Sequence, residues 1–321
     1  MECQILFNHL NIINLWTLLN TMNFTYNNHL KYYLGDRLYG IRENQQEQFK
    51  VTVGSIDPDH YKKTNFAEEL RRTADLVHSD FGKNIALFLS GGTDSEIVAR
   101  NFLSIGVKPH CFTIKFTGDY NLSDVNEAAN LTKELGLQHT ILDFDIKDFY
   151  YSGYAAEFGG KIQCTQIAYL SVYHWISKIG LPAVMGGELL LRRNPRIWYY
   201  CFRENEDASA MRFSHSYGIP VVNEWFSYTP ELMLLYLKDQ DIVNLVKDKD
   251  SNRTDSVAGK NAILKRLLPE INLRVKTHGF ENLLDFNREV YKGLSEQQLR
   301  SSNYQLDGIE YYRCLHSLRK F

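Results

Sequence analysis

From residue 65 onward the apolar positions change period several times, and each change marks an element. In "NFAEELRRTADLVHSDF" the residues Phe66, Leu70 and Val77 share one helical face, whereas "NIALFL" (84–89) is an unbroken apolar run suited to a strand buried on both faces. Val98, Phe102 and Ile105 then recur at helical spacing, with Gly106 as the stop, and "PHCFTIKF" (109–116) reads as a second strand. Ser123 is placed to cap a helix carrying Val125, Ala128, Ala129 and Leu135, which Gly136 ends. "HTILDF" (139–144) predicts a third strand, the stretch from Thr165 to Ile179 a helix, and "PAVMGG" (182–187) a fourth strand and its turn.

Strands and helices alternating at this spacing imply right-handed crossovers: an α/β fold whose parallel sheet carries helices on both faces. After residue 200 the patterns "PELMLLYLKDQDIVNLV" and "GKNAILKRLLPEINLRVK" are helical and predict a mostly helical C-terminal region that covers a sheet edge. The division expected is an N-terminal extension, partly irregular, over 1–64, an α/β core over 65–200, and a helical part of the same domain over 201–321.

Composition narrows the class. The 321 residues are 44% hydrophobic and 23% charged, enough to bury a sizeable core. With 36 basic and 38 acidic residues there is no broad basic surface for a nucleic acid or an anionic membrane, so neither is expected as a partner. Five scattered cysteines with no CxxC pair argue against structural zinc and a disulfide framework. The start, "MECQILFNHLNIINLWTLLN", is apolar but lacks a basic leader and is broken by Asn8, His9, Asn11 and Asn14, so it reads as an amphipathic helix and the protein as cytoplasmic. Met22 is an alternative to Met1 as the natural start, and the abundance of Asn, Lys, Tyr and Phe suggests an AT-rich genome, in which case a viral origin would place the chain in host cytoplasm.

The chemistry concentrates in one turn, Ser90, Gly91, Gly92, Thr93, Asp94 and Ser95, between the first strand and its helix. Two glycines let the backbone bring its N–H groups close to a ligand, and the helix start adds a field that favours anions. Three hydroxyls add donors. Asp94 would repel phosphate unless a divalent cation stood between them, so the turn is suited to a Mg-bound polyphosphate, with Asp94 the metal ligand. No GxxxxGK[ST] is present, which sets the turn apart from the loop that transfers terminal phosphoryl groups.

"SGGTDS" resembles the SGGxDS pyrophosphate loop of the N-type ATP pyrophosphatases, or PP-loop proteins, which cleave ATP between its α and β phosphates and adenylate an acceptor. Three further stretches resemble the synthetase domain of asparagine synthetases: "AVMGGELLLRR", "YGIPVVNEWFSYTPELM" and "KNAILKRLLPEINLRVKTHGF". The resemblance runs over roughly residues 65–285 and implies an adenine nucleotide alpha hydrolase-like (HUP, Rossmann-like) core using ATP and Mg. It implies that Ser90 to Ser95 bind pyrophosphate and metal, that the backbone at Thr113 and Ile114 receives the adenine, and that Gly187 and Glu188 lie at the reacting centre. Lys260 would steady the developing charge, and Arg274 and Lys276 would close the site.

This sequence departs from that pattern at Leu191 and Arg192, where the family has an acidic pair, at Leu264, and at Pro220 and Val222. A fused glutaminase is not expected, since only 89 residues precede Ser90 and position 2 is Glu2 rather than cysteine. The reading that follows is an ATP-dependent, AMP-forming carbon-nitrogen ligase that adenylates a small carboxylate for attack by ammonia, an amine, or ammonia from a separate glutaminase. Its alternatives are a PP-loop enzyme transferring sulfur or nitrogen to a nucleobase, and a degenerate nucleotide-binding module without catalysis.

Overall fold

The structure is a computed structural model and describes residues 29–187, 191–193, 198–248, 253, 255–271, 273, 280–283, 286, 289 and 303–307. Along the chain, β1 (Leu30–Leu34), β2 (Arg37–Leu38) and β3 (Phe49–Val53) precede a short helix α1 (Pro58–Tyr61) and α2 (Phe66–Phe81). The core follows as β4 (Ala86–Phe88), α3 (Thr93–Ser104), β5 (His110–Phe116), α4 (Leu122–Leu135), β6 (His139–Phe144), α5 (Ile146–Tyr151), α6 (Tyr154–Ile162), α7 (Ile167–Ile179) and β7 (Ala183–Val184). Beyond it come β8 (Arg192–Arg193), β9 (Trp198–Arg203), α8 (Asp207–Tyr217), β10 (Val221–Val222), α9 (Pro230–Lys238), α10 (Gln240–Lys247), α11 (Val257–Leu267) and β11 (Asn303–Asp307).

Five strands form a parallel sheet in the order β10, β7, β4, β5, β6. The chain builds outward from β4 through β5 to β6, then returns through α5, α6 and α7 to lay β7 on the other side of β4. Strand order therefore reverses between β4 and β7. In an open α/β sheet a reversal leaves a crevice beyond the carboxyl ends of the two strands, because their helices go to opposite faces. The helices fall accordingly into two packed groups, α2, α3 and α9 in one and α6, α7 and α8 in the other.

Local chemistry explains the elements nearest that crevice. Asn65 starts α2 through a capping box, accepting from the Glu68 N–H while the Glu68 carboxylate takes the Asn65 N–H. Phe66, Leu70 and Val77 are buried as their spacing predicts, and so are Val98 and Phe102 of α3, with Trp225 packed on Phe102 at 5.3 Å between ring centres. Gly136 ends α4 in the left-handed conformation. Ser123, expected as the cap of α4, instead lies inside the helix: α4 starts at Leu122 and the N-cap position is Asn121, whose amide is turned back onto β5.

Several elements were not foreseen. Within the N-terminal extension β2, β1 and β3 make an antiparallel sheet, with Leu30 opposite Val53 and Leu34 opposite Phe49. Arg42 and Arg212 clamp this sheet to the core through Glu204: Arg42 Nε and Nη2 donate to its carboxylate at 3.0 and 2.6 Å, and Arg212 Nη1 donates to its carbonyl at 3.1 Å. The region after residue 200 is helical through α8 to α11, yet β9 pairs with β8 and β11 in a third sheet. No helix among the described residues is long and apolar enough to cross a membrane.

Candidate active site

The turn after β4 runs into the crevice. Leu89 is still anchored to β5: its N–H donates to the Phe112 carbonyl at 2.8 Å, and its carbonyl accepts the Thr113 hydroxyl at 2.9 Å. Ser90 is exposed, and Gly91 takes φ +68°. A Cβ on Gly91 would lie 2.6 Å from Glu127 Cβ and 2.8 Å from the Ala128 nitrogen, so only glycine lets the turn press against α4 this closely. Gly92 is the N-cap of α3, which has no side-chain cap hydrogen bond, while Ser95 turns its hydroxyl inward to the Gly92 carbonyl at 2.9 Å. The hydroxyl of Ser95 is thus engaged in holding the turn. Thr93 and Asp94 remain half-exposed on the crevice side.

The second wall comes from β7. A Cβ at Gly186 would lie 3.1 Å from the Asp94 carbonyl carbon and the Ser95 nitrogen, so this glycine permits the turn after β7 to sit directly on the start of α3. Gly187, at φ +68°, would clash at 2.6 Å with the Asn223 carbonyl oxygen and Glu224 Oε2. Glu224 is therefore at the crevice edge beside Gly187, and the Tyr169 hydroxyl donates to its carboxylate at 3.4 Å. Burial and the neighbouring Glu224 and Asp207 charges push the Tyr169 hydroxyl well above the usual phenol range.

The third wall is the start of α11. Lys260 Nζ donates to both Asp94 oxygens, at 3.0 and 3.1 Å. It is held there by a frame of hydrogen bonds. The Lys260 N–H donates to the Ser256 carbonyl at 3.0 Å; Ser256 in turn accepts the Leu191 N–H on its hydroxyl at 2.8 Å and donates its own N–H to the Leu191 carbonyl at 3.0 Å. The Tyr236 hydroxyl shares a further hydrogen bond with Ser256 Oγ at 2.8 Å. Leu191 itself is buried, 1% exposed, and its backbone serves as an anchor for α11.

Of the residues expected to act, the structure brings Ser90 to Ser95, Gly187 and Lys260 to one crevice. Thr113 and Ile114 lie on β5 behind the turn, both buried, with the Thr113 hydroxyl committed to Leu89. The Ile114 carbonyl accepts the Asn121 amide at 2.8 Å, and the Phe116 N–H donates to Asn121 Oδ1 at 2.9 Å. Glu188, Arg274 and Lys276 lie outside the described residues. Sequence reasoning missed Glu224, Gly186 and Tyr169. The signal for Gly186 was the Gly-Gly pair after a strand; nothing in the sequence brings Tyr169 on α7 to Glu224.

No group of three or more His, Cys, Asp or Glu side chains able to hold a metal occurs among the described residues. The site nonetheless fits Mg: the ion commonly takes one or two carboxylates and completes its shell with water and substrate phosphate oxygens, and Asp94 offers such a carboxylate beside a helix start. A glycine turn, a helix start and a lysine thus meet at the switch point of the parallel sheet, an arrangement suited to an anionic ligand. Residues 67–152, which contain the turn and the strands and helices on either side of it, match the family model "Asparagine synthase". That match supports an ATP-using PP-loop enzyme of ligase type.

No curated protein matches the chain. Among solved structures it is similar to a predicted subunit of tRNA methyltransferase from Methanocaldococcus jannaschii, at 16% identity over 44% of this chain and 67% of that one, with a TM-score of 0.30. It is also similar to NMN synthetase from Francisella tularensis (15% identity, 83% and 95% coverage, TM-score 0.31) and NH3-dependent NAD synthetase from Campylobacter jejuni (13%, 75% and 96%, 0.31). Likenesses of this size carry no argument about the reaction.

Proposed function

We propose that this chain is an asparagine synthetase-like ligase: it activates a small carboxylate with ATP, releasing pyrophosphate, and a nitrogen nucleophile then displaces AMP to leave an amide. The observation that carries the reading is the convergence of the SGGTDS turn, the Gly186 turn and Lys260 on Asp94 at the switch point of the parallel sheet. An anion held there faces N–H groups at the start of α3, with the helix field favouring negative charge.

Each residue's work follows from its place. The backbone of Ser90 to Gly92 and the Thr93 hydroxyl bind the departing pyrophosphate. Asp94 holds Mg, which when bound neutralises phosphate charge. Lys260, fixed on α11, supplies a cation to the charge that builds up as the phosphate-carboxylate bond forms and breaks, a placement that lowers the barrier because the charge is oriented beforehand. Gly187 and Glu224 line the edge where the acceptor would enter. Glu188 and the closing pair Arg274 and Lys276 complete the assignment by resemblance. The nitrogen comes from ammonia, from an amine on the acceptor, or from a separate glutaminase, and the compartment is the cytoplasm.

The test is AMP formation from α-labelled ATP with Mg, ammonium and a panel of carboxylic acids headed by aspartate. Acid-dependent AMP that disappears in Asp94→Ala is the expected result. ATP binding by calorimetry without AMP under any acid would overturn it in favour of a non-catalytic module, the second reading, which the buried Leu191 at the acidic position favours.

A further inference from the structure

Lys260 is not a surface lysine that happens to reach an acid. Its side chain is 10% exposed and its backbone is fixed by the Ser256 to Leu191 hydrogen bonds, while Asp94, at 26%, is the more open partner. The ammonium engages both carboxylate oxygens at nearly equal distance. A carboxylate occupied in this way is a poor ligand for a free divalent cation, which would have to approach a fixed positive charge. A polyphosphate changes the balance, since its oxygens attract the ammonium and the cation together.

The geometry points to Lys260 as the resident counter-ion of Asp94, a latch that keeps free divalent cations out and admits the metal only together with a polyphosphate, which draws the ammonium off the carboxylate. This rests on the nucleotide reading above and adds to it an order of binding. Metal and pyrophosphate then bind with positive coupling, each raising the affinity of the other, and by linkage the factor is the same in both directions. The coupling resides in the charge of Lys260 rather than in its shape.

The experiment uses the full chain, Mn2+ as the probe metal and inorganic pyrophosphate as the probe anion. Protein-bound Mn2+ is measured by equilibrium dialysis, with and without pyrophosphate and with the Mn2+-pyrophosphate complex of the protein-free chamber subtracted, in the natural protein, Lys260→Met and Lys260→Arg. The latch predicts that Mn2+ alone binds Lys260→Met at least tenfold more tightly than the natural protein. It predicts further that pyrophosphate raises Mn2+ affinity at least tenfold in the natural protein and in Lys260→Arg, and far less in Lys260→Met. Lys260→Arg keeps the charge, so a result that merely reflects altered folding would not follow this pattern. Equal affinity for Mn2+ alone in all three, with Mn2+ and pyrophosphate still binding together, overturns the latch and leaves the nucleotide reading standing. Binding of neither probe by any of the three overturns both.

Discussion

Replacing Gly91 by alanine tests the turn on which the whole site depends. Two penalties act there. The backbone sits at φ +68°, where an L residue pays about 1–2 kcal/mol. The new Cβ would also lie 2.6 Å from Glu127 Cβ, 2.8 Å from the Ala128 nitrogen and 2.9 Å from the Asp124 carbonyl oxygen, two of them backbone atoms of a helix that cannot yield singly. Forcing a methyl into packed surroundings costs about 1–3 kcal/mol, so the loss of stability should be roughly 2–5 kcal/mol. Gly106→Ala is the control, with a similar φ of +76° but no atom within 4 Å of the added carbon, so it carries the backbone penalty alone. Urea unfolding of the two variants against the natural protein isolates the contact, and pyrophosphate binding by calorimetry reports whether the turn has shifted. If Gly91→Ala is no more destabilising than Gly106→Ala, the turn is not wedged against α4 and the account of the site fails.

Three further outcomes are expected. Ser256→Ala leaves the buried Leu191 N–H without its acceptor and removes the nearer of the Tyr236 hydroxyl's two partners, the Ser256 carbonyl at 3.5 Å remaining, a loss of about 1–3 kcal/mol in urea unfolding, and it should weaken pyrophosphate binding through Lys260. Stability should fall as the pH drops below 6.5: burial lowers the rings of His29, to about 3, and of His110, His139 and His174, so the unfolded chain binds protons first. His29 alone contributes a slope of about 1.4 kcal/mol per pH unit below 6.5, and His29→Asn should flatten the profile measured between pH 7.5 and 5. Burial pushes the Cys111 and Cys164 thiols up to about 12, so Ellman's reagent at pH 8 should leave both unmodified until urea unfolds the protein.

Much of the core could be read directly from the chain, because β4 and β5 are largely buried strands followed by glycines and each helix between the strands buries one stripe. Strand β6 was expected over 139–144 and occupies His139–Phe144, while the turn declared its chemistry by residue type alone. Other elements escaped for physical reasons. In β9 the residues Trp198, Tyr200 and Phe202 are buried and alternate with Tyr199 and Cys201, which are nearly as apolar, so the two-residue period is masked. Strand β10 is two valines long, too short for any period. By contrast "FKVTV" of β3 alternates plainly, but a lone strand signal in an irregular stretch finds its partner only in three dimensions.

What the sequence by itself determined is local: the strand, turn and helix order, the parallel sheet that order requires, and a turn made of glycines, hydroxyls and one carboxylate. Tertiary structure decided which distant groups meet that turn. It set β7 beside β4, bringing Gly186 onto the start of α3, placed Glu224 beside Gly187, and delivered Lys260 to Asp94 across 166 positions of chain. No periodicity encodes such pairings, because they depend on where the strand order reverses and on backbone anchors such as Leu191 and Ser256, whose side-chain types give no hint of them.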